Sequence, residues 1–135
     1  MKVFVYGSLM SGFGSHRLLE SSEFLGDGKI HEPCRMISFG NFPAIFRVSL
    51  VDDAGGPVVG EVYEVDKDTL AALDRLEGNG SFYQRMRADV YNSNNYLTHP
   101  LVWVYYLKEF REHSSRELVP SRDWRAYESS QRLSN

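Results

Sequence analysis

Glu77 is the residue of this chain best placed to move a proton. It stands one position before Gly78, at the end of a segment where Leu70, Leu73 and Leu76, with Ala72, recur at three- and four-residue spacing, as one apolar face of a helix requires. A carboxylate in a last helical turn faces the negative end of the macrodipole, where a cation is more stable. Partial burial adds to that effect, and both raise the pKa toward neutrality, where a general acid or base works best. An exposed glutamate paired with Arg85 explains the same position, and residue chemistry alone leaves the two readings even.

A second group of residues could hold an anion. In Tyr6-Gly7-Ser8-Leu9, Gly7 permits an unusual backbone angle, so that the amides of Ser8 and Leu9 face one anion such as an α-carboxylate. A plain turn leaving a strand is the commoner use of such residues. Tyr83 and Tyr105 are candidate cavity walls, although Tyr in a strand more often fills a core or a surface. Arg85 either anchors Glu77 or faces water.

Other chemistries lack their residues. Phe13 and Gly14 follow Gly12 where a Walker loop needs Lys and Ser or Thr, and Arg17 stands where a dinucleotide fingerprint needs glycine. His31-Glu32 has no second histidine at zinc-helix spacing, and His16, His31, His99 and His113 form no ligand cluster, so no metal is expected. There is no Gly-x-Ser-x-Gly elbow, and Cys34 beside Pro33 suits a packed small residue better than a nucleophile. Nucleotide, metal and covalent chemistry are therefore not expected.

The positioning elements can be drawn from local signals. Lys2 to Tyr6 is β-branched and aromatic and ends at Gly7, a strand; a glycine-punctuated loop then reaches Ser15, the expected N-cap of a short helix through Glu20. From Phe24 to Leu50, turn signals at Gly26-Asp27-Gly28 and Gly40-Asn41-Phe42-Pro43 suggest several short strands. A turn over Asp52 to Pro57 and a strand over Val58 to Val65 suggest a hairpin with the preceding segment. Asp66 caps the helix that carries Glu77, and Gly78 fits a left-handed C-terminal cap. Tyr83 to Tyr91 alternates, with Met86, Ala88 and Val90 inward, and pairs across a polar turn of Asn92 to Pro100 with Leu101 to Leu107, whose two apolar faces mark a central strand. The last stretch from Glu112 is polar, with Trp124 and Tyr127 as anchors, a short helix near Ser121 to Ser130 and a loose end.

Length and balance bound the rest. A chain of 135 residues that is 42% hydrophobic is expected to fold as one domain, residues 1–135, with enough apolar surface for a core. A net charge of −3 gives no electrostatic footprint for nucleic acid or an anionic membrane. A small metabolite fits better. A single cysteine excludes an internal disulfide, no signal peptide is evident, and the longest apolar run, Leu101 to Leu107, is far short of the roughly 20 residues that span a bilayer. The location expected is cytoplasmic.

Three motifs occur in order: Tyr6-Gly7-Ser8-Leu9 at a strand end, Leu73-Asp74-Arg75-Leu76-Glu77-Gly78 at a helix end, and Tyr83-Gln84-Arg85 opening a strand. Pro43-Ala44 and Gly60-Glu61-Val62-Tyr63 accompany them. In this, the sequence resembles the γ-glutamylcyclotransferase-like superfamily, in the short branch with the γ-glutamylamine cyclotransferases and AIG2-like proteins. The likeness covers about residues 2–107, with 108–135 as a C-terminal extension. It departs at Met10, where an arginine or lysine is usual, and along an apolar loop through Phe13. The resemblance implies an α+β fold, a small mixed β-barrel with flanking helices and a cavity at its mouth. It also implies a cofactor-independent enzyme that closes a γ-glutamyl substrate to 5-oxoproline. Glu77 would be the general acid/base, and Tyr6, Gly7, Ser8, Leu9, Tyr83 and Tyr105 would hold the substrate. A non-catalytic metabolite-binding module on the same barrel is the alternative. Oligomeric state is not legible in the sequence.

Overall fold

The computed structural model describes residues 1–48, 56–108 and 117–133. Its strands are β1 (Lys2–Val5), β2 (Glu23–Ser38), β3 (Pro43–Arg47), β4 (Gly56–Glu64), β5 (Tyr83–Tyr91), β6 (Leu97–Leu107) and β7 (Glu117–Leu118). Its helices are α1 (Lys67–Glu77) and α2 (Trp124–Leu133), with a single 3₁₀ turn at His16–Leu19. Strand β2 pairs with β4, β4 with β1, β1 with β6 and β6 with β5, and β5 returns to β2 at Lys29 opposite Tyr91. The ring is a closed five-stranded barrel. It is mixed, because β1 runs parallel to β6, Val3 opposite Trp103, while the other pairs are antiparallel.

Burial explains why β1 holds the centre. Val3, Phe4 and Val5 are all buried, so both faces of this short strand are covered, and only a β-branched and aromatic run satisfies that. Gly60 on β4 makes room for it: a Cβ there would run into the Val5 carbonyl and lie 2.6 Å from the Phe4 ring. Helix α1 is set by its ends. Asp66 Oδ1 accepts the Thr69 amide at 2.7 Å, and Gly78, at φ 60° and ψ 49°, closes the last turn in the left-handed conformation. Leu70 and Leu73 enter the core, whereas Leu76, placed on the same face by spacing, is exposed. It lies instead along the groove described below.

Several local expectations are corrected. The stretch from Phe24 to Leu50, expected as several short strands, holds the 16-residue β2 and the short β3, divided near Gly40 where a turn was expected; only the break expected at Gly26-Asp27-Gly28 is absent. Gly26, at φ 119°, produces a bulge between Phe24 and Gly26 rather than a reversal, and a second irregularity falls between Ile30 and Cys34, around Pro33. Strands β3 and β4 do not form a hairpin. Both pair with β2, on its two edges, and most of the turn placed at Asp52 to Pro57 lies outside the described residues. Ser15 makes no side-chain cap, and the helix after it is one 3₁₀ turn. Strand β6 begins at Leu97, so the connection after β5 is shorter than Asn92 to Pro100. Met86 is exposed, its sulfur 3.7 Å from Arg47 Nη1, while Ala88 and Val90 are buried.

The C-terminal stretch packs onto the barrel. Strand β7 pairs with the end of β2, Val119 and Trp124 are fully buried, and α2 begins at Trp124, where Asp123 Oδ1 accepts the Ala126 amide at 3.1 Å. The helix thus starts later than Ser121 and runs on to Leu133. Cys34 is buried, which pushes its thiol up to about 12, a packed residue with no thiolate at neutral pH. Among the described residues no helix is long and apolar enough to cross a membrane.

Candidate active site

Four element ends converge at one mouth of the barrel. Strand β1 runs out into Tyr6, Gly7, Ser8 and Leu9, α1 ends at Glu77, β5 begins at Tyr83, and β6 contributes Tyr105 near its own end. All seven residues named from the sequence border one small cavity, together with Phe4, Val5, Phe42 and Pro43. Sequence reasoning missed the last four as cavity walls. Only the Pro43-Ala44 pair carried a signal for them.

The three tyrosines build the frame. The Tyr6 hydroxyl donates to the Tyr105 carbonyl at 2.7 Å and accepts the Ile45 amide at 3.3 Å, tying the end of β1 to β6 and β3 at once. Tyr83 donates to the Pro43 carbonyl at 2.6 Å. Tyr105 donates to Asp74 Oδ1 at 2.7 Å. Burial above all pushes these phenols upward, and the nearby charge of Glu77 adds to it, so each stays protonated at neutral pH and serves as a donor.

Glu77 is different. Among the described residues its carboxyl makes no hydrogen bond and no ion pair, and burial pushes its pKa up to about 7. The anchor considered for it is taken: Arg85 Nε lies 3.3 Å from Asp74 Oδ1, and the guanidinium rests 4.2 Å above the Trp103 ring. A carboxyl poised near neutrality, unpaired and bordering a cavity can accept and return a proton without first breaking a salt bridge.

The loop after β1 is built from its own backbone. Met10 N donates to Gly7 O at 3.0 Å, Ser15 N to Ser8 O at 3.1 Å, and His16 Nδ1 lies 2.9 Å from Leu9 O. The amides of Ser8 and Leu9 make no hydrogen bond among the described residues. Gly7 is needed for a reason other than the one expected. Its φ is not left-handed; a Cβ there would lie 2.6 Å from Pro43 Cδ, so glycine lets the loop press against the proline ring. Met10 is buried, an apolar core residue at the position where the resemblance implies a cation.

The loop is pinned from outside the cavity by a residue that spacing did not single out. Glu61, 4% exposed, accepts the Ser11 amide at 2.8 Å and the Tyr63 hydroxyl at 3.0 Å through Oε1, and Arg125 of α2 lies 3.4 Å from Oε2. Arg125 also donates to the Ser11 carbonyl and sits over the Phe13 ring.

A wider groove adjoins the cavity. It shares Ser8, Phe42, Glu77 and Tyr83 with the cavity and adds Ser15, Arg75, Leu76, Gly78 and Phe82. Glu77 stands at the junction. No group of three His, Cys, Asp or Glu side chains able to hold a metal occurs among the described residues.

The sequence matches the family described as gamma-glutamyl cyclotransferase, AIG2-like, over residues 3–126. The chain belongs to this family. The match runs past Leu107 into α2, in keeping with the packing of Trp124. A Methanocaldococcus jannaschii protein whose name assigns it provisionally to the gamma-glutamylcyclotransferases is 35% identical over 126 residues, 93% of this chain and 96% of the relative. The gamma-glutamylcyclotransferase family protein YtfP of Escherichia coli K12 is 32% identical over 125 residues, 92% of this chain and 96% of the relative. The fold agrees with an uncharacterized protein of Pyrococcus horikoshii at a TM-score of 0.75 and 20% identity, over 98% of this chain and 97% of that one. An AIG2-like protein of mouse aligns at a TM-score of 0.66 and 26% identity, over 82% and 79%.

Proposed function

We propose that this γ-glutamylcyclotransferase-family chain cyclises a γ-glutamylamine or γ-glutamyl peptide to 5-oxoproline with release of the amine, and that Glu77 is its general acid/base. The observation that carries this reading is the unpaired Glu77 carboxyl, held near pH 7 by burial at the junction of cavity and groove. The glutamyl part would occupy the cavity, its α-carboxylate on the amides of Ser8 and Leu9, and the amine would leave through the groove.

The reaction is an intramolecular aminolysis. The α-nitrogen attacks the γ-carbonyl carbon, a carbon–nitrogen bond closes the five-membered lactam, and the original amide carbon–nitrogen bond breaks. Two protons leave the attacking nitrogen, which begins as an ammonium, and two arrive on the departing amine. A carboxyl that is half ionised near neutrality can relay them. Ring closure needs a folded substrate more than a strong nucleophile, since the two reacting atoms belong to one molecule. The tyrosine frame would supply that shape.

The test is a panel of γ-glutamyl compounds offered to purified, chelator-treated protein, with chromatographic detection of 5-oxoproline. Equal release of 5-oxoproline and amine is expected from at least one. Binding of 5-oxoproline or a γ-glutamyl compound with no turnover would make the barrel a metabolite-binding module instead. We place the protein in the cytoplasm, where γ-glutamyl metabolites would reach it.

A further inference from the structure

One ion pair outside the cavity holds the loop that follows β1. Among the described residues the loop closes mostly on itself, Met10 N on Gly7 O at 3.0 Å, Phe13 N on Met10 O at 3.1 Å and Ser15 N on Ser8 O at 3.1 Å. Its hydrogen bonds to the barrel wall and to α2 pass through Ser11. The Ser11 amide donates to Glu61 Oε1 at 2.8 Å, and the Ser11 carbonyl accepts from Arg125 Nη2. The two holders are joined to each other, since Nη1 and Nη2 of Arg125 each lie 3.4 Å from Glu61 Oε2.

Both holders are anchored independently of the loop. Glu61 belongs to β4, in register with Val5 of β1, and the Tyr63 hydroxyl donates to its Oε1 at 3.0 Å. Arg125 follows Trp124, which is fully buried and stacks on Tyr127 at 5.4 Å, so the first turn of α2 is fixed by its neighbour and not by Arg125 itself. The guanidinium also stands 5.6 Å from the centre of the Phe13 ring. A planar fork serves a carbonyl, a carboxylate and a ring at once, which a single ammonium cannot. A buried carboxylate that loses its cation is costly, so loop, strand and helix hold together as a unit.

We infer that Arg125 is a positioning residue for the amides of Ser8 and Leu9, and that through it the C-terminal helix sets how tightly the cavity holds an α-carboxylate. This rests on the carboxylate reading of that loop given above. Neither Arg125 nor Ser11 borders the cavity, so the effect is one of placement and not of contact. Ser11 is next to Met10, whose amide closes the turn on Gly7 around Ser8 and Leu9. Release of Ser11 therefore lets that turn drift, and both amides lose their common aim.

Two lactams read the loop without chemistry: 5-oxoproline, and 2-pyrrolidinone, which is the same ring without the carboxylate. Their affinities, measured by NMR titration of the intact chain, should favour 5-oxoproline in the native protein. Arg125→Met should lower that preference by roughly tenfold, the scale of one charge-assisted hydrogen bond, and should do so through 5-oxoproline alone. Arg125→Lys should restore part of it. Glu61→Gln combined with Arg125→Met leaves no buried charge unpaired and keeps an acceptor for the Ser11 amide; it should show the same loss, and it replaces Arg125→Met if that variant fails to fold. Hydrogen exchange supplies a readout that needs no ligand. The amides of Met10, Phe13 and Ser15 should exchange faster in the variant while Leu70 in α1 keeps its rate. A preference that the loss of Arg125 leaves intact, or an equal fall in both affinities such as general loosening gives, overturns the inference. So does unchanged exchange along the loop. If the native protein binds neither lactam, or both alike, while the loop amides still exchange faster in the variant, the tether stands and the carboxylate reading falls.

Discussion

Burial of the Glu77 carboxyl has two consequences with opposite signs. For chemistry, a group near pH 7 is half in each protonation state at neutrality, so Glu77→Gln should retain ligand binding and lower kcat by about 10²–10⁴-fold. Steady-state kinetics checks it, and a Gln variant with near-native kcat would remove Glu77 from the mechanism. In the native enzyme kcat/KM should fall as pH drops through about 7, because the protonated acid cannot accept from the substrate ammonium. For stability, the folded pKa lies above the ordinary value of 4.5, so the folded state holds its proton over a window in which the unfolded chain has lost it. Stability present below pH 4.5 is therefore lost as pH rises through about 7. Glu77→Gln escapes that loss. Urea unfolding at pH 4.5 and pH 8 should show the variant gaining on the native protein by about 1–3 kcal/mol between the two.

At the scale of elements, the loop after β1 depends on backbone fit more than on side-chain chemistry. Gly7→Ala puts a methyl 2.6 Å from Pro43 Cδ and should cost about 1–3 kcal/mol of stability, as overpacking does, with weaker binding of 5-oxoproline. Ser8→Ala should bind almost as the native protein does, because the Ser8 amide and not its hydroxyl is assigned to the ligand. Calorimetry on the pair separates these. Loss of binding in Ser8→Ala equal to that in Gly7→Ala would make the hydroxyl a ligand. The same loop leans on Glu61, so Glu61→Ala should raise KM several-fold with a smaller change in kcat. Its loss of charge-assisted bonds should also lower stability by about 1.5–3 kcal/mol, and a rise in KM without that loss would uncouple loop from tether.

How far these elements can be seen in the sequence follows from the range of the forces that set them. Helix α1 was legible because its apolar spacing, the Asp66 cap and Gly78 all lie within one short stretch. The partners of β3 and β4 were not, because turn residues mark where the chain reverses and say nothing of which strand it then joins; β2, long enough to hold both, took the place of the expected hairpin. Gly26 likewise signals a break in extended backbone, and a bulge and a turn share that signal. At the site, Glu77 and the Tyr6 to Leu9 loop were visible through local motifs. The diversion of Arg85 to Asp74 depends on how β5 lies against α1, and the wall of Phe42 and Phe82 joins residues distant in sequence, so neither could be foreseen from spacing.

For the molecule as a whole, the C-terminal segment is part of the core. Val119 N donates to Met36 O at 2.8 Å and Val59 N to Arg122 O at 3.0 Å, so the chain between β7 and α2 straps two strands before Trp124 is buried. Trp124→Ala should cost about 3–5 kcal/mol. Trp124→Phe should cost clearly less, since the buried indole Nε1 has no hydrogen-bond partner among the described residues, and thermal unfolding of the two variants tests the ordering. Equal losses would mean that the indole nitrogen contributes to stability.

The closure of the ring also sets an order in time. Strand β1 is the first to be synthesised, yet its parallel neighbour at Trp103 emerges about a hundred positions later, which at roughly 5–20 residues per second is a wait of about 5–20 s on the ribosome. During that wait Val3, Phe4 and Val5 have no ring to enter. Tyr6 lacks the β6 carbonyl that receives its hydroxyl, and the pocket it would border does not yet exist. A nascent chain of this protein therefore completes the pocket proposed to bind substrate only late, when the seam between β1 and β6 is sealed.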